Sequence, residues 1–158
     1  QLPHNFGLSY QTAEGGTAMP VVIHRAIYGS LERFIGIIIE NFKGVFPFWL
    51  SPEQVGIVPI RTEHNAYAKK VFSLLQKRGI RVEADYSESN MKEKIKKYKN
   101  FKDPYILVLG DREAAENTVS INMRGSNRQL NNIPIERFLA MCERMNEEHS
   151  LELLESAD

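Results

Sequence analysis

His24 and Arg33 stand nine positions apart in "HRAIYGSLERFIGIIIE". An arginine in the first turn of an apolar helix needs a partner, because an unpaired buried charge is costly. Glu32 is its sequence neighbour and points elsewhere. Backbone N–H groups at a helix start add positive potential, and Gly29 lets backbone or ligand approach closely. That setting suits an anion held by Arg33 and the helix start. A carboxylate from elsewhere in the fold would satisfy Arg33 equally well. His24 ends "PVVIH", where an imidazole is either hydrogen-bonded core or a ligand. No CxxC or HxxxH spacing accompanies it, so zinc does not follow from these residues. His4, His64 and His149 are scattered and read as surface or loop residues.

A second concentration of chemistry is "MKEKIKKYKNFK", with six lysines and one glutamate. It suits RNA phosphate. It would also serve as a solvated helix face, balanced by the acidic "NEEHSLELLESAD".

The elements that position these groups fall into two regions. Up to about Lys43, "FGLSYQT" and "TAMPVVIHRAIY" read as two strands joined by a Gly-rich turn. A helix follows, capped by Ser30. Leu31, Phe34, Ile35 and Ile38 share one face, and Ile37 and Ile39 widen it, so this helix is expected to be covered on most sides. "KGVFPFWLSPEQ" interrupts with prolines and aromatics and reads as a packed linker. From Val55 short strands alternate with helices. "VGIVPI", "IRVEADY", "YILVL" and "TVSINM" are strands. Thr62 caps a helix bearing Tyr67, Val71, Leu74 and Leu75. Met91, Ile95 and Tyr98 face inward from the lysine-rich helix. Pro134 starts a last helix with Ile135, Phe138, Leu139 and Cys142 inward. This alternation implies an α/β fold with a helix-covered, mostly parallel mixed sheet, preceded by a hairpin and helix.

The totals set bounds. The 158 residues suffice for one domain or a small domain with an appendage, and the formal net charge is zero, so only local clustering can point to a partner. The single cysteine, Cys142, excludes an intrachain disulfide and fits a reducing compartment. No apolar run approaches a membrane span, and nothing resembles a signal peptide.

"GSLERFIGIIIE" resembles motif three of the class II aminoacyl-tRNA synthetases, a Gly-x-x-Glu-Arg turn opening a hydrophobic helix. "MPVVIHRAIYGSLERFIGIIIE", "FPFWLSPEQVGIVPI", "LLQKRGIRVEAD" and "PYILVLGDRE" are similar to the threonyl-tRNA synthetase family in particular. The resemblance spans nearly the whole chain. It implies that residues 1–43 end a catalytic domain, 44–52 form a linker, 53–150 form an anticodon-binding domain and 151–158 form an acidic tail. Arg33 would be the catalytic contact to ATP, with Ser30 and Gly29 lining the adenylate pocket. His24 would be the third ligand of a zinc that grips threonine, its other ligands lying upstream. The implied parent joins threonine to tRNA(Thr) using Mg-ATP, in the cytoplasm and away from membranes, as a homodimer. The piece alone would be a catalytically inert monomer without tightly bound zinc.

For the anticodon, Glu113 in "GDRE" stands at a family position that accepts from a base. Lys96 and Asn122 stand where the family shows arginine, and Glu88 about where it shows asparagine. Neither lysine nor asparagine reproduces arginine's rigid fork. Lys96 is therefore assigned to phosphate. Base reading is assigned to Glu113, Asn122 and the "MRGSNRQ" loop around Arg124 and Arg128. Two other functions compete. A noncatalytic nucleic-acid-binding relative would not need His24 and Arg33 together. A small-ligand α/β domain would need a Gly-rich phosphate loop that "VGIVPIRTEHN" does not offer.

Overall fold

The computed structural model describes residues 1–155, which divide into two units, Gln1–Glu40 and the chain from Asn41 onward. Among the described residues no helix is long and apolar enough to cross a membrane.

The first unit holds a short helix α1 (Leu2–Asn5), strands β1 (Tyr10–Gln11) and β2 (Thr17–Ala18), and the start of helix α2 (Leu31–Phe42). The expected hairpin is present but reduced to two residue pairs, Tyr10 with Ala18 and Gln11 with Thr17. The stretch around His24 is not a strand. Ser30 caps α2, its Oγ accepting from the Arg33 N–H at 3.3 Å. The expectation that α2 is covered on most sides does not hold. None of its residues is buried, and Leu31, Ile35, Ile37 and Ile39 are exposed. A unit with so short a hairpin has too little apolar surface to cover so wide a stripe.

The second unit is built on a five-stranded sheet of order β4-β3-β5-β6-β7, with β3 Val55–Pro59, β4 Val82–Ala84, β5 Tyr105–Leu109, β6 Thr118–Met123 and β7 Gln129–Pro134. β3 runs parallel to β4 and β5, while β6 and β7 add antiparallel strands. The expected helix-covered mixed sheet is thus present, with β7 an edge strand that the sequence did not announce. Its helices are α3 (Asn65–Lys77), α4 (Met91–Phe101), a short α5 (Asp111–Glu116) and α6 (Ile135–Glu147). Thr62 opens a 3-10 turn, Thr62–His64, and the α-helix itself begins at Asn65.

Strand alternation sorts the two faces. Val55, Ile57, Tyr105, Leu107, Leu109, Val119 and Ile121 pack with residues of α3 and α6 into the main core. Phe48, Tyr105 and Phe138 stack through it, with ring centroids 5.7 and 5.6 Å apart. The opposite face buries Val58 and Ile106 against Tyr98 of α4. α4 starts at Asn90, whose side chain accepts from the Glu93 N–H at 2.9 Å, and stops at Lys102 in the left-handed conformation. Leu153 and Leu154 rest against the main core, and the Tyr105 hydroxyl donates to the Leu154 carbonyl at 2.7 Å. The start of the acidic tail is therefore apolar anchor. Its last residues, 156–158, lie outside the described residues.

Candidate nucleic-acid interface

α4 covers only β3 and β5. On that same face α5 packs on β6, where Ser120 is buried under Glu113, and Asn122, two residues along, is half-buried. Asn122 pairs in register with Gln129. Beyond α5, this face is bordered at Asn122 by Lys99 and Lys102 and by the loop after β6.

Glu113 is fixed on this face. Ser120 Oγ donates to its Oε1 at 2.6 Å and the Gly110 N–H donates to its Oε2 at 2.9 Å. Burial opposes ionisation, but the Ser120 hydroxyl and backbone N–H groups prevail and bring the carboxyl below its ordinary value. Each oxygen keeps a lone pair, so Glu113 is a charged acceptor held in one plane. The neighbouring Tyr67 phenol is pushed up to about 12, by burial and then by the Glu113 charge. Its hydroxyl donates to the Thr118 carbonyl at 2.7 Å.

Lys96 is exposed on α4. Asn122 lines a cavity of about 340 Å³ with Lys99, Lys102, Arg124, Ser126 and Asn127. Arg124 is not a free arm of its loop. Its guanidinium donates to the carbonyls of Lys102 and Phe46 and is half-buried. Arg128 is exposed at the far end of the loop.

A crevice opens at the carboxyl ends of the parallel strands. There α3 follows β3 toward one face and α4 follows β4 toward the other, the usual place for ligands in such sheets. About 260 Å³ is lined by Ile60, Arg61, Thr62, Ser87, Glu88, Ser89 and Lys94. Lys94 is only 4 % exposed. Its ammonium donates to the Pro59 carbonyl at 3.3 Å and has no carboxylate partner among the described residues, leaving two N–H donors unspent there. Sequence reasoning missed this residue among six lysines. The signal was there, since Lys94 lies three positions after Met91 and four before Tyr98, on the inner seam of α4.

His64 is a correction. It is buried rather than a surface residue. Its Nδ1 accepts from the Arg61 N–H at 3.1 Å, so Nε2 carries the proton and donates to Asp111 Oδ1 at 3.0 Å. That hydrogen bond, with burial opposing it, lowers the Asp111 carboxyl. Glu63, His64 and Asp111 bring potential ligand atoms within 4.8 Å. The Arg61 N–H claims the Nδ1 lone pair and Nε2 is a donor, so this trio is a clasp between two strand ends and does not fit a metal.

In the first unit Gly29 is left-handed at φ +65°. Ser30 Oγ donates to Glu32 Oε2 at 2.6 Å, a bond that holds the Glu32 carboxyl below its ordinary value. His24 and Arg33 are both exposed, and neither side chain makes a hydrogen bond or ion pair among the described residues. The ring nitrogens of His24 are open to a metal, as one ligand. The structure brings Glu113, Ser120 and Asn122 to one face of β6.

Residues 54–145 match the family described as the anticodon binding domain. A threonine–tRNA ligase from Syntrophomonas wolfei is 51% identical over 124 residues, covering 78% of this chain and 20% of that protein. One from Chlamydia pneumoniae is 43% identical over 152 residues, covering 96% of this chain and 24% of that protein. A threonine–tRNA ligase catalytic subunit from Saccharolobus islandicus is 44% identical over 140 residues, covering 89% of this chain and 26% of that protein. The chain thus spans 20–26% of the length of these curated relatives. Among solved structures, the RNA binding domain of threonyl-tRNA synthetase from Cryptosporidium parvum superposes with a TM-score of 0.71 and 36% identity, covering 92% of this chain and 36% of that one. Prolyl-tRNA synthetase from the same organism shares the fold alone, at a TM-score of 0.63 and 20% identity.

Proposed function

This chain belongs to the anticodon binding domain family, and from that premise we propose that it binds the anticodon arm of tRNA(Thr) as part of a threonine–tRNA ligase. The observation that carries the reading is one face of β6, where Ser120 and Gly110 hold Glu113 as a charged acceptor and Asn122 lines a cavity with Lys99 and Lys102. Single-stranded anticodon bases offer their edges to such groups once splayed from the stack. Glu113 accepts from a base donor, and Asn122 offers both a donor and an acceptor. Lys96 contacts phosphate. The crevice at Lys94 takes a further nucleotide, with Glu88 and Arg61 on its wall. Arg124 shapes the loop through the Lys102 and Phe46 carbonyls, and the exposed Arg128 reaches the strand.

The first unit contributes to the ligase active site of the cytoplasmic parent enzyme, which joins threonine and ATP before transfer to tRNA. Arg33, at the capped start of α2, neutralises phosphate of Mg-ATP, and Gly29 and Ser30 line the same pocket. His24 supplies one imidazole to a zinc ion, which when bound would act as a Lewis acid for the amino acid's polar groups. The exposed, unpartnered His24 and Arg33 support this reading over a noncatalytic relative.

The test is stem-loop binding at several salt concentrations, with matched and altered anticodons. Lys96→Ala is expected to weaken binding to all stem-loops alike and flatten the salt slope by about one unit. Glu113→Ala should relax anticodon preference. Full discrimination by Glu113→Ala, or none by the wild type, refutes the assignment.

A further inference from the structure

Two acidic side chains meet where the chain enters the sheet. Glu53 lies two residues before β3, and Asp103 sits between α4 and β5. Together they line a cavity of about 180 Å³. Asp103 is 4 % exposed. Glu53 Oε1 and Asp103 Oδ2 are both fully buried and neither has a donor. Two ionised carboxylates are acceptors only and cannot satisfy each other. One proton between them satisfies both.

The nearby charges do not remove that need. Lys97 on α4 faces the pair, but its ammonium is joined to Asp85 Oδ2 at 3.3 Å. Arg124 faces Asp103 from the loop after β6, but its donors go to the Lys102 and Phe46 carbonyls. Glu83 on β4 adds like charge to Glu53. The Tyr98 hydroxyl of α4 is buried without a partner and faces Glu53, Glu83, Asp85 and Asp103. Lys102 lines the same cavity, and its ammonium donates to the Lys43 carbonyl at 2.8 Å.

We propose that Glu53 and Asp103 share one proton, and that this proton is a pH-sensitive latch fastening the segment before β3 to the turn between α4 and β5. The latch is independent of RNA binding. Burial, then the Glu53 carboxylate, pushes Asp103 from 3.8 up to about 8. The folded chain therefore holds a proton that the unfolded chain has released. The stabilisation is complete below the ordinary aspartate value and is lost as pH rises through about 8. Between those limits one bound proton lowers the folding equilibrium constant by up to about tenfold per pH unit.

The experiment is urea unfolding of the whole chain from pH 6 to 8, for wild type and for Glu53→Gln/Asp103→Asn, with an infrared spectrum of the wild type at pH 6. Subtracting the two profiles cancels titrations common to both. The latch predicts a wild-type folding constant that falls with pH relative to the double variant. It also predicts a protonated-carboxyl C=O band in the folded wild type. Parallel profiles overturn it. If the double variant does not fold, the infrared band decides, and its absence from the folded wild type overturns the proposal.

Discussion

Gly56→Ala should unseat α4. Gly56 is the second residue of β3 with ordinary strand backbone, so the effect is steric rather than conformational. A Cβ there would stand 2.6 Å from both Cγ and Cδ1 of Tyr98 and 3.0 Å from Cδ2. Carbon atoms settle at about 3.5–4.0 Å, so the ring must retreat by roughly 1 Å. Tyr98 is fully buried and cannot swing aside. The helix has to move with it, carrying Lys94 away from the Pro59 carbonyl. Overpacking of this kind costs about 1–3 kcal/mol. A value near 2 kcal/mol would lower the urea midpoint by roughly 1 M at the slopes common for small domains. The assay is urea unfolding by circular dichroism for Gly56→Ala, Tyr98→Ala and the double variant. With the ring gone, the alanine has nothing to strike, so the double variant should lose clearly less than the sum, by about 1 kcal/mol or more. A Gly56→Ala protein within about 0.5 kcal/mol of wild type, or strict additivity, would refute the reasoning.

Two further outcomes follow from single bonds. The Asp111 carboxyl, lowered by its hydrogen bond from His64, should titrate below the ordinary aspartate range by NMR and return upward in His64→Leu. Its contribution to folding is present above the ordinary value and disappears as pH falls through the folded value. Tyr105→Phe should cost about 1 kcal/mol in urea unfolding, because it strips the Leu154 carbonyl of its donor.

The central strands were legible because their signal is local. "VGIVP" and "YILVL" are fully buried along their whole length, so every residue carries the apolar mark. The inner seam of α6 was legible for a similar reason, through its helical period. β7 was not, since an edge strand reading "QLNNIP" is mostly exposed. A register shift between Val119 and Ile121 of its partner β6, with Asn132 at φ +57°, further dilutes its alternation. α5 hid inside "GDRE" because a six-residue helix shows no period, and it is held instead by Glu113 reaching back to the Gly110 N–H. His64 looked like surface because its partners are a backbone N–H and an aspartate 47 positions away. The Glu53–Asp103 pair was invisible for the same reason, since two acids far apart in sequence carry no mark of their meeting. At the candidate interface, Glu113 and Asn122 came from resemblance. Ser120, which orients Glu113, and Lys94, which is buried, needed coordinates.

The mounting of these groups on β6 has a thermodynamic consequence. Ser120 and Asn122 belong to a strand whose alternate residues, Val119 and Ile121, are fully buried in the main core. Their backbone cannot shift without opening that core, so their directions are set before any ligand arrives. Immobilising a mobile polar side chain on binding costs about 0.5–1.5 kcal/mol. Groups mounted on β6 avoid much of that loss, whereas the exposed side chain of Arg128 bears it in full. Selectivity placed on the strand therefore draws on rigidity the core already supplies. The loop adds reach, at an entropic cost that grows with each side chain it orders.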